Sequence, residues 1–404
     1  MISRRLLERF SSYSRLNFRS LGSYSTTRIN SDKVFRVLGI ETSCDDTSAA
    51  VVTSDRRILS EAIHTQHSLH KKMGGVVPNI ALRSHAANLP RIVREALDNA
   101  SLEIEDIDVI AVTRGPGIAP CLSVGMNAAK TLAAVTRKPL IGVHHMEAHA
   151  LTARLTTADP TQSSPLPEFP FLTLLISGGH TLILVAHSVN NYTQLGTTLD
   201  DSIGEAFDKT ARTLGLPWPE GRGGGLGVAL EQAASKGDPV RFGQALPIPM
   251  EDAVHGKGMN FSFSGLKTAV KYMIERQQLN LSDDQVVCDL AAGFQSKAVM
   301  HLERKLAKAL KWCESNNVHL TSLVVSGGVA SNQHVRSRLS QLAGSHQLSL
   351  ICPPPHLCTD NGVMIAWAGV ERYRAGLIDD ISIDFIPKWP IENLKEIYQG
   401  QGMR

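Results

Sequence analysis

The chain repeats one arrangement: an apolar segment, a short polar or glycine-rich turn, and a second apolar segment. FRVLGI and TSAAVV lie on either side of ETSCDD, and FLTLLI and TLILVA lie on either side of SGGH. Apolar runs of this length, separated by turn residues, are typical of β-hairpins. A third glycine turn, SGGVASN, follows the apolar run SLVV and should lead into a helix. The chain is therefore constrained to fold around hairpins whose tips carry polar groups.

Short apolar runs alternate with helical segments between the hairpins. DVIAVT predicts a buried strand, SVGMNAAKTLAAV a helix of small residues, and PLIGV the next strand. From Gln295 to Trp312, apolar residues recur every three or four positions, which indicates an amphipathic helix. Two α/β lobes that each begin with a hairpin are typical of the actin, Hsp70 and sugar-kinase superfamily. We therefore predict this two-lobed α/β fold, with the active site in the cleft between the lobes, where glycine turns bind phosphates.

Composition predicts where the domains begin and end. Residues 1–30 contain six arginines and one glutamate among many serines. This is typical of an amphipathic mitochondrial presequence, and the alternative is a disordered tail. The stretch 156–170 is rich in Pro, Ser and Thr and predicts a linker between the lobes. We predict a mitochondrial matrix protein with a presequence at 1–33, an N-terminal lobe at 34–165, a C-terminal lobe at 166–375, and a tail at 376–404 that packs back on the N-terminal lobe.

Charge and cysteine usage exclude several classes of protein. Removing the six arginines and one glutamate of residues 1–30 from the net charge of +3 leaves −2. Any nucleic acid must therefore be bound by a local basic patch. The six cysteines include no C-x-x-C pair, which argues against a disulfide framework or a structural zinc site. Because no apolar run reaches the ~18 residues of a membrane span, we expect no membrane association.

The segment VHHMEAHALTARL places His145 and His149 four positions apart. On a helix, this spacing puts both imidazoles on one face, where they can share a metal ion. The common zinc proteases need H-E-x-x-H, with the glutamate directly after the first histidine. Here the glutamate is Glu147, which a helical period of about 3.6 residues turns roughly 200° away from His145. The segment argues against a metalloprotease and leaves a metal site, or two ordinary hydrogen-bonded histidines, as alternatives.

In its motifs and their order, the chain resembles the universal tRNA threonylcarbamoyl-adenosine transferases, formerly described as O-sialoglycoprotein endopeptidases. The motifs are GIETSCDDTSAAVV, PNIALRSHAANLP, TRGPG, HHMEAHA, LLISGGHT, DDSIGEAFDKTARTLGL, FSFSGLKTAV, SGGVASN and CTDNGVMIAW. With the presequence, the resemblance is to the organellar branch. It implies that a homodimer transfers threonylcarbamoyl from threonylcarbamoyl-AMP, made by a separate synthase, to the exocyclic amine of adenosine 37. The substrates implied are mitochondrial tRNAs that read ANN codons, and AMP is released.

The resemblance also implies a divalent metal ion, zinc or iron, bound by His145, His149 and Asp360. Two imidazoles and one carboxylate leave positions open, so that the ion can act as a Lewis acid. The positions implied for binding threonylcarbamoyl-AMP are Leu175, Ile176, Ser177, Gly178, Gly179, Asp208, Gly227, Glu231, Ser331 and Asn332. The alternatives for Asp208, Glu231 and Asn332 are helix N-caps or surface carboxylates. In the glycine loop PWPEGRGGGLGVALE the register is ambiguous, with Gly221 as the alternative to Gly227.

Asp45, at the tip of the first hairpin, is the candidate base or positioning carboxylate, and an Asx turn is its alternative role. The attacking adenine amine is a poor nucleophile, so catalysis must come from positioning, charge stabilisation and proton removal. Contacts with tRNA need cations, and the candidates are Lys71, Lys72, Arg83, Lys267 and Lys271. Competing hypotheses are a metalloprotease, an ATP-dependent small-molecule kinase on the same fold, and a nucleotide-binding scaffold without catalytic activity.

Overall fold

The computed structural model describes most of the chain that follows the predicted presequence. The described residues are 33–66, 69–70, 73, 75–156, 166–219, 225–251 and 258–399. The predicted presequence, except for its last residue, and the centre of the proposed linker lie outside these ranges. Lys71, Lys72 and Gly221 also lie outside them.

Within the described residues, ten strands form two five-stranded sheets. The strands are β1 (Arg36–Glu41), β2 (Asp46–Thr53), β3 (Ile58–Thr65), β4 (Val109–Gly115), β5 (Leu140–His144), β6 (Phe171–Ile176), β7 (Thr181–Ser188), β8 (Asn191–Thr197), β9 (Ser322–Ser326) and β10 (Ser349–Ile351). The helices are α1 (Pro78–Asn99), α2 (Ala119–Thr136), α3 (His145–Thr156), α4 (Ile203–Thr213), α5 (Leu226–Ala234), α6 (Pro239–Gly243), α7 (Ser264–Gln277), α8 (Asp284–Ser315), α9 (Gln333–Ser345), α10 (Gly362–Arg374) and α11 (Leu394–Gln399). None of the described helices is long and apolar enough to cross a membrane.

The first sheet contains the predicted acidic hairpin. Its strand order is β3-β2-β1-β4-β5, and β1 is antiparallel to β2, with Glu41 opposite Ser48. β4 runs parallel to both β1 and β5. Leu38 packs with α1 and α2 on one face of the sheet, and Val37 packs with α10 on the other. Because helices cover both faces, the central strands are apolar at nearly every position.

The second sheet repeats the order of the first. Its order is β8-β7-β6-β9-β10. β6 and β7 form the predicted glycine hairpin, with Ile176 opposite Thr181, and β9 lies parallel to both β6 and β10. In each sheet, three antiparallel strands are therefore followed by two parallel strands. This repeat confirms the prediction of a two-lobed α/β fold, and the third glycine turn follows β9 as predicted.

The histidine helix α3 lies between the two sheets. Ala148 and Leu151 belong to the apolar cluster of the first sheet that contains Val37. Met146 belongs to the cluster of the second sheet that contains Leu175. A helix that packs on both sides is buried along most of its length, so its polar side chains need partners inside the protein. The fold thus fixes the side chains of α3 at the junction of the sheets.

The C-terminal segment (379–392) contacts both sheets. Oδ2 of Asp379 accepts a hydrogen bond of 2.8 Å from a backbone N of β5. The backbone O of Trp389 accepts a bond of 2.9 Å from Nε2 of His144, the last residue of β5. Glu392 accepts a bond of 3.2 Å from a backbone N of β8. These contacts link the end of the described chain to the strand that leads into α3.

Candidate functional site

The two histidines of α3 point at one carboxylate. α3 begins with His145, directly after β5, and carries His149 one turn later. The ring centroids are 4.8 Å apart, and the two Nε2 atoms lie 3.3 and 3.0 Å from Oδ1 of Asp360. One ligand atom from each residue lies within 4.8 Å of the others, so the group can hold a metal ion. The structure brings together the three residues that the resemblance implied as ligands.

Several carboxyl groups lie close to the histidine pair. Burial raises the pKa of Asp360, but His145 and His149 outweigh burial and hold it well below its usual range. Burial, together with the charges of Asp45 and Asp360, raises the pKa of Asp46 to about 8. Oδ1 of Asp46 is buried and, within the described part of the chain, makes no hydrogen bond. A divalent cation suits both this excess of acidic groups and the mixed nitrogen and oxygen donors.

Glu41 orients the first histidine, a role that the sequence analysis did not assign. Its fully buried carboxylate accepts bonds from the backbone N of Ser43 at 2.5 Å, from Oγ1 of Thr113, and from Nδ1 of His145 at 3.3 Å. Because a carboxylate at Nδ1 favours the tautomer with its proton there, Nε2 keeps a free lone pair for a metal. The only signal in the sequence was an acidic residue at the end of an apolar strand.

Glu147 faces away from the pair, as expected from the helical period. Its Oε1 accepts a bond of 2.8 Å from the backbone N of Asn190, and its Oε2 pairs with Nη1 of Arg372 at 2.7 Å. Both charged side chains are fully buried. Glu147 is therefore part of the packing between α3 and α10, and it is unsuited to act as the base of a zinc protease.

The first turn places Asp45 beside this group. Asp45 lies between β1 and β2, and its backbone O accepts a bond of 3.2 Å from the backbone N of Gln66. Asp45 and Asp360 both raise the pKa of Asp46, so the three carboxyl groups are electrostatic neighbours. Oγ of Ser43, in the same turn, lies 3.3 Å from Nδ1 of His145. The tip of the first hairpin and the histidine helix thus form one site.

The second turn presents backbone to open space. Gly178 and Gly179 are exposed, and a Cβ at either position would meet no atom within 4 Å. Oγ of Ser177 accepts bonds of 3.2 and 3.0 Å from the backbone N atoms of Gly179 and His180. The side chains of Leu175 and Ile176 are buried in apolar clusters. Only the main chain of those two residues is therefore available to a ligand.

Helix α4 begins against this turn. A Cβ on Gly204 would lie 2.6 Å from the backbone O of Ser177, so only glycine fits there. Ser202 caps the helix and donates a bond of 2.6 Å to the backbone O of Gly178. His180, at the end of the turn, was not predicted as a site residue. Burial lowers its pKa to about 4, and the charges of the metal-site group, His145, Asp360 and His149, also act on it.

The third turn touches the second turn and the segment before Asp360. Gly327 has a φ of +96°, and a Cβ there would lie 2.5 Å from the backbone O of Ile176. A Cβ on Gly328 would lie 3.8 Å from Cγ2 of Thr359. The three predicted turns and the histidine helix therefore meet in one region.

The structure also brings together the predicted residues of α4, α5 and α9. Oδ1 of Asp208 accepts a bond of 2.7 Å from the backbone N of Gly227, in the first turn of α5. Oε1 of Glu231 accepts a bond of 2.7 Å from the backbone N of Gln333, the first residue of α9. Burial raises the pKa of Glu231, whereas the bond from Gln333 lowers it, and burial outweighs the bond. Both carboxylates thus bind backbone at the start of a neighbouring helix.

Asn332 and Ser331 precede α9. Asn332 is 4% exposed and caps this helix by accepting a bond of 3.0 Å from the backbone N of Val335, while its Nδ2 donates a bond of 2.9 Å to Gln295. Oγ of Ser331 donates a bond of 2.7 Å to the backbone O of Gly328. The N-cap role that was the alternative for Asn332 is the one its side chain performs here.

Two of the predicted tRNA-binding lysines have an acidic neighbour within the protein. Nζ of Lys267 pairs with Asp201 at 2.7 Å, and Nζ of Lys271 lies 3.8 Å from Glu275. Arg83 is exposed on α1. Arg83 is therefore the described candidate whose side chain faces solvent without such an acidic neighbour in the described residues.

Comparison with known proteins identifies the family. Residues 57–367 match the TsaD family, described as tRNA N6-adenosine threonylcarbamoyltransferase. A probable mitochondrial tRNA N6-adenosine threonylcarbamoyltransferase of Arabidopsis thaliana is 44% identical, over 96% of this chain and 84% of that protein. The tRNA N6-adenosine threonylcarbamoyltransferase of Zymomonas mobilis is 44% identical, over 91% of this chain and 95% of that protein. HypF of T. kodakarensis shares the fold, with a TM-score of 0.53 and 14% identity over 85% of this chain and 48% of HypF. The chain belongs to the tRNA N6-adenosine threonylcarbamoyltransferase family.

Proposed function

We propose that this transferase moves the threonylcarbamoyl group of threonylcarbamoyl-AMP to the exocyclic amine of adenosine 37 in mitochondrial tRNAs that read ANN codons, with release of AMP. One observation carries the proposal: His145, His149 and Asp360 converge where three glycine or acidic turns meet, in a chain of this family. The displaced glutamate of α3 argues against the protease alternative.

The adenylate would bind along the turns. The exposed backbone of Gly178 and Gly179 would approach the phosphate, and the N-terminus of α4 would add its partial positive charge. Asp208 and Glu231 would accept bonds from ribose hydroxyls, because a carboxylate has about four lone-pair sites and can keep its backbone bond as well. Leu175 and Ile176 would contribute main-chain atoms. The remaining residues of this proposed pocket are Ser177, Gly227, Ser331 and Asn332.

In the proposed reaction, the adenine amine attacks the carbamoyl carbon and the bond from this carbon to the phosphate oxygen of AMP breaks. Asp45 would take the proton that the amine loses, or orient the amine. AMP leaves as a phosphate anion and needs no added proton. A divalent ion, zinc or iron, would be held by His145, His149 and Asp360 and would supply Lewis-acid stabilisation of negative charge on the carbamoyl oxygen.

The proposal extends to location and partners. The arginine-rich N-terminus and the mitochondrial relative support residence in the mitochondrial matrix after removal of residues 1–33. We further propose a homodimer that receives threonylcarbamoyl-AMP from a separate synthase, with the lobe boundary near residue 165 and the tail at 376–404 packed on the N-terminal lobe.

The test is direct modification of tRNA. The purified protein is incubated with threonylcarbamoyl-AMP and an unmodified mitochondrial tRNA, and the digested nucleosides are weighed by mass spectrometry. We expect adenosine to gain the mass of threonylcarbamoyl, and a transcript with guanosine at position 37 to gain nothing. Unmodified adenosine, with a substrate shown to be active on a bacterial relative, would contradict the proposal.

A further inference from the structure

His85 of α1 contacts the tip of the first hairpin with both of its ring nitrogens. It is fully buried. Its Nε2 lies 3.0 Å from the backbone O of Cys44, and its Nδ1 lies 2.8 Å from Oγ1 of Thr47. The motif PNIALRSHAANLP, which contains His85, supplies no group to the proposed reaction. His85 therefore bridges two points of the turn that carries Asp45.

These two partners define the protonation of the ring. The backbone O of Cys44 can only accept, so Nε2 of His85 carries the proton. In the neutral ring Nδ1 then has a lone pair, which accepts a bond from the hydroxyl of Thr47. Burial lowers the pKa of His85, which favours this neutral ring. In the neutral ring, the two bonds are therefore possible together in one tautomer only.

The bridged segment needs such support. Cys44 and Thr47 flank Asp45 and Asp46, two adjacent acidic residues in a half-buried turn. Burial and the charge of Asp45 both raise the pKa of Asp46, because a second negative charge in this turn is unfavourable. A turn that packs two carboxyl groups side by side is unfavourable, so its backbone needs other bonds to hold it in place.

We propose that His85 is a positioning residue, whose Nε2–H tautomer holds Cys44–Thr47 in the conformation that directs Asp45 toward the reacting amine. The proposal rests on the proposed role of Asp45. It predicts that each of the two bonds helps to hold the turn Cys44–Thr47 in place. Losing either bond should loosen this turn without removing any group that touches substrate.

Two variants of His85 distinguish the effect of the bond to Cys44 from the effect of the bond to Thr47. In His85→Gln the new amide reaches the backbone O of Cys44 but leaves the hydroxyl of Thr47 without its acceptor. His85→Asn does the reverse. We expect kcat to fall about tenfold or more in each variant, because one unmade buried bond costs that much. The KM for threonylcarbamoyl-AMP should change less than kcat, since the phosphate and ribose contacts remain. Thr47→Val removes the same hydroxyl at nearly constant volume and repeats the test from the other side of the bond.

Labelling of Cys44 provides a readout that does not depend on activity. Burial and the charge of Asp45 raise the pKa of the Cys44 thiol, so it should react slowly with iodoacetamide in the native tip. A loosened tip should react about tenfold faster, as measured by mass spectrometry of the peptide that contains Cys44. The control is His301→Gln, because His301 is also buried, at 1% exposed, and one of its ring nitrogens, Nε2, accepts a bond of 3.3 Å from the backbone N of Ser262.

The proposal is supported if labelling of Cys44 accelerates and kcat falls in both His85 variants and in Thr47→Val, at melting temperatures matched by His301→Gln. It is overturned if labelling stays at the native rate, or if labelling accelerates while kcat is unchanged. Failure of the proposed function looks different, because the unsubstituted protein would then leave tRNA unmodified while the labelling rates still report whether His85 holds the tip.

Discussion

Replacing Glu41 with Gln should weaken metal binding while leaving every proposed ligand in place. Glu41 receives three donors, from Ser43, Thr113 and His145. The hydroxyl of Thr113 can rotate and accept instead, but the backbone N–H of Ser43 cannot. Gln has one acceptor oxygen, which Ser43 would occupy, so its NH₂ group would face Nδ1 of His145. The imidazole would then favour the tautomer with its proton on Nε2, where the ligand lone pair is needed.

The size of the effect follows from this contact. A buried donor left without an acceptor costs about 1–3 kcal/mol, which corresponds to roughly 5- to 150-fold in an equilibrium constant. Changes in such outer partners of metal-binding histidines typically cost about 10–100-fold in affinity. We therefore expect the Kd for Zn²⁺ of Glu41→Gln to rise by about tenfold or more, measured by competition with a chromophoric chelator.

The matched control is Glu147→Gln, which changes a fully buried carboxylate on the metal-site helix itself. Glu147 pairs with Arg372 and faces away from the histidines. This variant should lose stability and keep its affinity for Zn²⁺. Equal Zn²⁺ affinity in Glu41→Gln and the unsubstituted protein would refute the tautomer argument, and equal losses in both variants would assign the effect to general loosening of the site.

Three further results are expected. Gly204→Ala should cost about 1–3 kcal/mol of unfolding free energy, because its Cβ would lie 2.6 Å from the backbone O of Ser177. It should also weaken adenylate binding, as measured by calorimetry. Gly344→Ala, where a Cβ would meet no neighbouring atom within 4 Å, should have neither effect. Arg372→Met should cost about 3–5 kcal/mol in urea denaturation, because the buried charge of Glu147 loses its partner, and a loss under 1 kcal/mol would contradict this. Burial lowers the pKa of His301 to about 3, so unfolding takes up a proton below about pH 6.5 and stability falls as the pH drops from there toward 3. His301→Gln should reduce the pH dependence of the unfolding free energy in this range by up to about 1.4 kcal/mol per pH unit. An unchanged pH dependence would show that His301 does not cause the loss of stability.

The parts of the fold that the sequence predicted are those encoded by local pattern. Apolar runs on both sides of a glycine or acidic turn specify a hairpin wherever they lie, and the hairpins β1–β2 and β6–β7 form as predicted. The edge strand β3 was not predicted, because its residues are only partly buried and their pattern is weak. The contacts of the C-terminal segment are made to backbone groups of distant strands, and such contacts cannot be predicted from the pattern of side chains in the sequence.

The site residues also divide into those that local sequence predicts and those that depend on tertiary contacts. The spacing of His145 and His149 is local, so the sequence alone placed them on one face of a helix. Asp360 lies 211 positions from His149, and only the family resemblance connected the two. Glu41 and His85 act by orienting other side chains across tertiary contacts, and neither has a neighbour in sequence that reveals the partner. Sequence reasoning therefore found candidate ligands more readily than the residues that hold them in place.

The contact between Trp389 and His144 has a consequence for biosynthesis. A polypeptide leaves the ribosome, or passes through an import channel, with its N-terminus first. Every proposed ligand would therefore emerge before the segment that fixes the end of β5 and the start of α3. The proposed reaction could therefore begin only after the segment that contains Trp389 has been synthesised or imported. A product of early termination after Arg374 would contain all the candidate side chains and still lack a completed catalytic centre.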